Sequence, residues 1–165
     1  WRDRIEALHA INASHARHGH IQEVIIQNFQ RKPDIAMAHH PEPKLEDMLR
    51  TIAAARLILA PEISLQAPPN LHDRHMAYLD AGINDWGGSS PVTKDFINPQ
   101  HVWPEITALA QSCSENGFDL AERLTVYPRF LAERAGFVDP ALTGRIQAMS
   151  RRDGLARQHA LAAAQ

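Results

Sequence analysis

The chain has 165 residues, with 17 Lys+Arg against 19 Asp+Glu and a formal net charge of −2, one domain's worth of polypeptide by the usual scale of ~100–200 residues. At 44% hydrophobic residues and a mean hydropathy of −0.34 its composition is that of a globular protein, and the near-neutral balance argues against a broad non-specific nucleic-acid surface, which needs concentrated positive charge. No apolar run approaches the ~18–20 residues of a membrane span, nothing points to an anionic-membrane surface binder, and neither membrane nor nucleic acid is expected as a partner.

The start, Trp1-Arg2-Asp3-Arg4, has no signal-peptide pattern and no initiator Met, so a processed chain or a fragment is expected. The first helix is predicted over Arg2 to Arg17, with Trp1, Ile5, Leu8 and Ile11 near one face and Gly19 as its stop. Ile21 to Phe29 is rich in β-branched residues and reads as the first strand. A loop with Pro33, Pro41 and Pro43 leads to a second helix near Lys44 to Ile58, whose Leu45, Met48, Leu49 and Ile52 form one stripe. The second strand is Glu62 to Ala67, cut off by Pro68-Pro69. A short helix follows over Leu71 to Ala81, with Gly82 at its exit, then a third strand over Ile83 to Trp86 ending at Gly87-Gly88. Ser89 to Pro99 reads as loop. Pro104 suits a helix's first turn; Val102, Ile106, Leu109, Ala110 and Cys113 fall near one face, and Gly117 stops that helix. Glu122 to Tyr127, ended by Pro128, is the fourth predicted strand; the rest reads as helical to Gln165, with a break near Val138-Asp139-Pro140.

Strands alternating with helices predict βαβ units and a parallel α/β sheet. The second strand alternates cleanly, with Ile63, Leu65 and Ala67 on one face and Glu62, Ser64 and Gln66 on the other. The fourth opposes Leu124 and Val126 to Arg123, Thr125 and Tyr127, and the first opposes Val24 and Ile26 to Glu23, Ile25 and Gln27. A doubly wound sheet buries both faces and prefers continuous apolar strands. One apolar and one polar face per strand instead predicts a barrel wall with helices outside and a polar ligand in the lumen. The alternative is a polar face turned simply to water; helical connections disfavour it. A full barrel takes ~250 residues, so four strands amount to about half of one. The expected architecture is the C-terminal half of a (β/α) TIM-like barrel over residues 1–137, with a helical extension over 138–165.

Ligands in parallel α/β structures sit at the C-terminal ends of strands. Past each predicted strand stands a polar cluster: Gln27-Asn28-Phe29, Gln66-Ala67-Pro68-Pro69-Asn70, Asn84-Asp85-Trp86-Gly87-Gly88 with Ser89-Ser90-Pro91, and Thr125-Val126-Tyr127-Pro128. Amides read both donors and acceptors on a heterocycle or ribose, and glycines let backbone approach a ligand. Asn, Asp, Gly and Pro also end strands for conformational reasons alone; four such clusters at one end favour a site.

The runs His20-Ile21-Gln22-Glu23-Val24-Ile25-Ile26-Gln27-Asn28-Phe29, Gln66-Ala67-Pro68-Pro69-Asn70-Leu71 and Ala81-Gly82-Ile83-Asn84-Asp85-Trp86-Gly87-Gly88, with Arg123 to Pro128, resemble the FO synthase family. More closely, they resemble its lyase-type radical S-adenosylmethionine (SAM) subunit or half, which makes the 7,8-didemethyl-8-hydroxy-5-deazariboflavin chromophore (FO) of coenzyme F-420. The similarity runs roughly from Arg4 to Pro128, and Trp86 with Ser90-Pro91-Val92-Thr93 favours the lyase type over its relatives. The resemblance implies a radical SAM barrel. It further implies SAM and a [4Fe–4S] cluster as cofactors of the intact enzyme. Its substrate would be a ribityl-bearing, tyrosine-derived diaminouracil adduct, closed to a ring with loss of ammonia after hydrogen abstraction by a 5′-deoxyadenosyl radical. Gln27, Asn28 and Phe29 would then lie on the SAM side. Gln66, Asn70, Asn84, Asp85, Gly87, Gly88 and Tyr127 would lie on the substrate side.

One departure outweighs any match. The family's cluster needs a Cys-x-x-x-Cys-x-x-Cys loop, and this chain has a single cysteine, Cys113, on a predicted helix. The Gly-rich strand expected just before Trp1 is absent too. By the resemblance, the first half of the barrel and the cluster ligands lie outside this chain, which would be inactive alone and would need the missing N-terminal half as partner. A separate partner FO synthase subunit or a fused second domain is equally compatible. A lone cysteine also excludes an internal disulfide and fits a cytoplasmic setting.

The 10 histidines raise a different class of function, a metal-dependent barrel hydrolase. His18-Gly19-His20 is the pair type that binds zinc in such barrels, but it precedes its strand and so falls at the rim away from the expected site. His39-His40 point apart as neighbours, and His72 and His75 read as solvated helix positions. Cys113 is most simply a small buried hydrophobe. A non-catalytic βα interaction module is the third reading. No metal ligand is assigned in this chain.

Overall fold

The computed structural model describes residues 1–87, 89–90, 93–133 and 135–157. The chain divides into two compact units, Trp1–Glu105 and Ile106–Gln165.

In the first unit, helix α1 (Arg2–His18) ends where Gly19 enters the left-handed region at φ 62° and returns its N–H to the His15 carbonyl. A non-glycine residue pays a steric cost there. Three parallel strands follow in the order β1 (Glu23–Ile25), β2 (Ser64–Ala67) and β3 (Asp85–Trp86). Helix α2 (Leu45–Ile58) makes the first crossover and the short helix α3 (Ala77–Ala81) the second. Each strand is shorter than its predicted span, because parallel pairing stops where the shortest partner stops. The third strand pairs only Gln66 with Asp85 and Ala67 with Trp86.

The predicted alternation of β2 holds. Ile63 and Leu65 are fully buried and pack with Ile52 and Ala55 of α2 and Tyr78 of α3. Val24 of β1 and Ile26 just after it pack against that core, while Ile25 turns to the opposite face and is 46% exposed. Helix α1 adds Leu8, and Arg4 Nη1 donates to Thr51 Oγ1 of α2 at 2.9 Å. The buried His15 imidazole accepts the Ile21 N–H at Nδ1 and stands 3.4 Å from Glu62 at Nε2, tying the end of α1 to the entries of β1 and β2.

Arg56 of α2 locks the far side. Its guanidinium donates to the carbonyls of Gly82 (2.9 Å) and Ile63 (3.3 Å) and to Asn84 Oδ1 (3.0 Å). Gly82 adopts φ 115°, and a Cβ there would stand 3.0 Å from Arg56 Cβ. Partial burial lowers the pKa of Arg56 below its ordinary value.

The second unit corrects two expectations. Glu122–Tyr127 forms no strand; it is irregular, bends at Thr125 and Val126, and leads into helix α5 (Pro128–Ala132), with proline at its first position. The Glu122 carbonyl instead accepts the Ala156 N–H, and the Arg123 guanidinium lies 4.2 Å from the centroid of the Tyr127 ring. Leu124 and Val126 are half-buried rather than core. Alternation alone makes no strand without a neighbour's ladder. So the sheet has three strands among the described residues, not four, a parallel α/β unit compatible with part of a barrel wall. The C-terminal segment, expected as helix with a break near Val138-Asp139-Pro140, is interrupted there and also divided into shorter pieces. After α4 (Ile106–Glu115), which buries Leu109 and Cys113, the chain forms α5, short 3-10 turns at Ala135–Phe137 and Pro140–Leu142, and α6 (Thr143–Met149). It then reverses at Gly154, φ 80°, into an antiparallel bridge between Ser150 and Ala156. Residues 158–165 of the predicted tail lie outside the described residues.

No helix among the described residues is long and apolar enough to cross a membrane.

Candidate functional site

The face of the sheet opposite the helices carries Glu23 from β1, Ser64 and Gln66 from β2 and Asp85 from β3. These are the strand positions whose neighbours Val24 and Leu65 feed the core, since successive side chains alternate. Gln66 is 2% exposed. Its Nε2 donates to Asp85 Oδ2 at 2.9 Å and lies 3.4 Å from Glu23 Oε2. Two carboxylates on one side fix which way the amide points: nitrogen toward the carboxylates, with Oε1 as the acceptor. Gly87 is buried beside it, where a Cβ would stand 2.6 Å from Gln66 Oε1 and 3.1 Å from Gln66 Cβ.

Beyond the strand ends lies a second layer of amides. Asn28, 5% exposed, donates from Nδ2 to the Leu71 carbonyl at 3.1 Å, and Gln30 Nε2 donates to the same carbonyl. Asn70 donates from Nδ2 to Asp95 Oδ2 and to the His101 carbonyl, each at 3.0 Å. Asp95 is itself buried. Its Oδ1 accepts the N–H groups of Ile97 and Asn98, and its Oδ2 also accepts Asn98 Nδ2. Burial pushes the Asp95 pKa up, but the bonds from Asn98, Asn70 and Ile97 outweigh it and hold the pKa below the ordinary value. The amide oxygens Asn28 Oδ1 and Asn70 Oδ1 are buried with no hydrogen-bond partner, as is Ser89 Oγ. A buried polar atom left unpaired costs about 1–3 kcal/mol, and such atoms collect where a ligand completes them.

The structure therefore brings Gln66, Asp85 and Gly87 together on one face and sets Asn28 and Asn70 past the ends of β1 and β2. Gln27 follows β1 and is exposed; Phe29 is half-buried, its ring edge-on to His40. Asn84 is not brought to that face. It precedes β3, and its Oδ1 accepts the Leu65 N–H at 2.8 Å as well as Arg56, so it staples the strand on the helix side. Asn84 stands before β3 and is held by Leu65 and Arg56, whereas Asp85, within β3, faces Gln66. Tyr127 belongs to the second unit, and Gly88 lies outside the described residues, as do Pro91 and Val92. Sequence reasoning missed Glu23 as a partner of Gln66, and it missed Asp95. The polar alternation of β1 was the signal for the first; an Asp-x-x-Asn turn in a loop is too common to single out the second.

His18 and His20, whose rings meet edge-on at 5.5 Å, precede β1 and so enter the sheet at the end opposite Asn28. No group of three or more His, Cys, Asp or Glu that could hold a metal ion occurs among the described residues. The one cysteine of the whole chain is buried on α4, so these residues do not fit a [4Fe–4S] cluster. They do fit a polar, hydrogen-bonding organic ligand: neutral amides, two half-buried carboxylates beside Gln66 and unpaired acceptors.

Over 158 residues, 95% of its length, the chain is 47% identical to the 7,8-didemethyl-8-hydroxy-5-deazariboflavin synthase of Methanopyrus kandleri. This chain is homologous to the FO synthases. It is 46% identical over 150 residues to the FO synthase of Mycobacterium tuberculosis, and 44% identical over 164 residues to that of Streptomyces coelicolor. The chain spans 46% of the length of the Methanopyrus relative, 18% of the mycobacterial FO synthase and 19% of the Streptomyces one. No protein-family model matches the chain, and no solved structure matches it. The identity to the FO synthases covers nearly all of this chain, including β1, β2 and β3 and the polar face they build.

Proposed function

We propose that this chain supplies the substrate-facing C-terminal half of the barrel of a radical SAM lyase, an FO synthase acting in coenzyme F-420 biosynthesis in the cytoplasm. The observation that supports the reading is the Gln66–Asp85 pair, flanked by Glu23 and backed by Gly87, on a chain homologous to FO synthases over nearly its whole length. A ribityl diaminouracil–tyrosine adduct is rich in neutral hydroxyl, N–H and carbonyl groups. A face of amides and carboxylates orients such a ligand without a compensating ion.

In this reading Asp85 accepts from a ring N–H or a hydroxyl of the adduct, and Gln66 is held rigid by its carboxylate neighbours. Asn28, with Gln27 and Phe29 around it, lies on the SAM side, where its unpaired Oδ1 accepts from a hydroxyl or amino group. SAM, when bound, supplies the radical chemistry; the cluster it requires belongs to residues outside this chain. The partner is the N-terminal half of the barrel, whether in the same polypeptide or in a fused synthase with a second domain.

The test is anaerobic iron–sulfide reconstitution of this chain alone and together with the N-terminal half of a homologous FO synthase. The expected result is no bound iron and no 5′-deoxyadenosine from this chain alone, and both, with FO, from the pair. A [4Fe–4S] cluster with 5′-deoxyadenosine release from this chain alone would overturn the division of labour.

A further inference from the structure

We infer that Asp95 is a positioning residue that fixes the amide of Asn70 with its oxygen presented to a hydrogen-bond donor of the ligand, a ribityl hydroxyl or a uracil N–H. The inference rests on the proposed function above and adds to it a residue and a polarity.

Asn70 stands three residues past β2, and the next residue, Leu71, offers the carbonyl that anchors Asn28 and Gln30. Asn70 is therefore in the layer of amides that closes the C-terminal ends of β1 and β2. Which of its two amide atoms faces the ligand is decided from the other side. Both groups that meet Nδ2, Asp95 Oδ2 and the His101 carbonyl, are pure acceptors. An amide oxygen turned toward them would meet only lone pairs. The nitrogen is thus pinned to the 95–101 loop, and Oδ1 is turned away from it, buried and unpaired.

Asp95 can impose this because its own orientation is settled. Oδ1 is committed to the Ile97 and Asn98 N–H groups, which leaves Oδ2 to Asn98 Nδ2 and Asn70 Nδ2. With every oxygen engaged the carboxylate is ionised at neutral pH, and an ionised carboxylate only accepts. Asp95→Asn keeps size and shape but replaces one acceptor by an NH₂ group. If the turn keeps the new amide oxygen on the Ile97 and Asn98 N–H groups, the new NH₂ faces Asn70 Nδ2. Asn70 then either loses its anchor or flips. A flip presents a donor to a ligand that itself donates.

The test measures binding of the ribityl diaminouracil–tyrosine adduct by titration calorimetry to a full-length FO synthase carrying this segment. Asp95→Asn, Asn70→Ala and the double variant are compared, with KM and kcat for the adduct, KM for SAM, iron content and melting temperature alongside. Asp95→Asn is expected to weaken adduct binding about tenfold. Asn70→Ala should weaken it comparably, and the double variant should lie within about threefold of either single one, because all three remove the same acceptor. The loss should fall on the KM for the adduct, with SAM KM and iron unchanged. Asp95→Glu should recover part of it. Independent, multiplying losses would overturn the coupling, as would unchanged adduct affinity in Asp95→Asn. If Asp95→Asn does not fold, Asn70→Ala alone decides: unchanged adduct affinity there also overturns the inference. A wild-type enzyme that does not bind the adduct overturns the proposed function itself, a separate outcome.

Discussion

A side chain on Gly87 would collide with Gln66: its Cβ would stand 2.6 Å from Gln66 Oε1 and 3.1 Å from Gln66 Cβ. The glycine that follows β3 is therefore space for the amide of β2. Gln66 is almost fully buried and held by Asp85, so it has nowhere to retreat.

Gly87→Ala should displace Gln66 and break its bond to Asp85. Overpacking of this kind costs about 1–3 kcal/mol. Urea denaturation of the chain should show that loss, and Gly87→Ala combined with Gln66→Ala should recover most of it. An alanine at 87 with unchanged stability would mean the face is looser than its geometry.

Arg56 and Arg50 lie on the same helix and should differ sharply. Arg56 holds two backbone carbonyls and Asn84; Arg50 meets only Glu46 on the exposed surface. Arg56→Ala leaves acceptors unpaired and should cost roughly 2–3 kcal/mol, as for hydrogen bonds to charged donors. Arg50→Ala should cost about 0.5 kcal/mol or less. Equal losses in denaturant midpoint would contradict the stapling role of Arg56.

The Tyr78 hydroxyl is buried without a partner, and burial raises its pKa from 10.0 to about 12. The unfolded tyrosine ionises near its ordinary value while the folded one stays neutral. The stability tied to this group is therefore complete below pH 10 and is lost as pH rises from there toward 12, by roughly 2–3 kcal/mol in all. Tyr78→Phe should lack that alkaline loss. At neutral pH it should match the wild type or exceed it by about 1–2 kcal/mol, because it removes an unsatisfied hydroxyl. Melting curves of both proteins across the alkaline range check this; a destabilised phenylalanine variant would show that the hydroxyl has a partner.

Much of the first unit was legible in the sequence for simple reasons. Gly19 ends α1 because it alone takes a left-handed cap cheaply, and the Ile63-Leu65 alternation assigns the core face because strands have a period of two. Strand register sets Gln66 beside Asp85, while Asn84, one polar cluster with Asp85 in the sequence, is drawn away by its bonds to Leu65 and Arg56. Glu122–Tyr127 shows where pattern runs out. Its alternation is as clean as that of β2, yet strand formation depends on a neighbour's unpaired backbone, which no local pattern contains. The tie between Asn70 and Asp95 spans a loop and carries no periodic signal.

We propose that this chain carries the substrate side of an FO synthase while the cluster is bound elsewhere. Asp85→Ala in a full-length FO synthase tests it most directly, with FO formation and iron content measured on the same preparation. FO formation should fall roughly ten- to a hundredfold, since a hydrogen bond to a charged group is worth about 1.5–3 kcal/mol, with iron content equal to that of the wild type. Undiminished FO formation, or loss of the cluster along with activity, would contradict it.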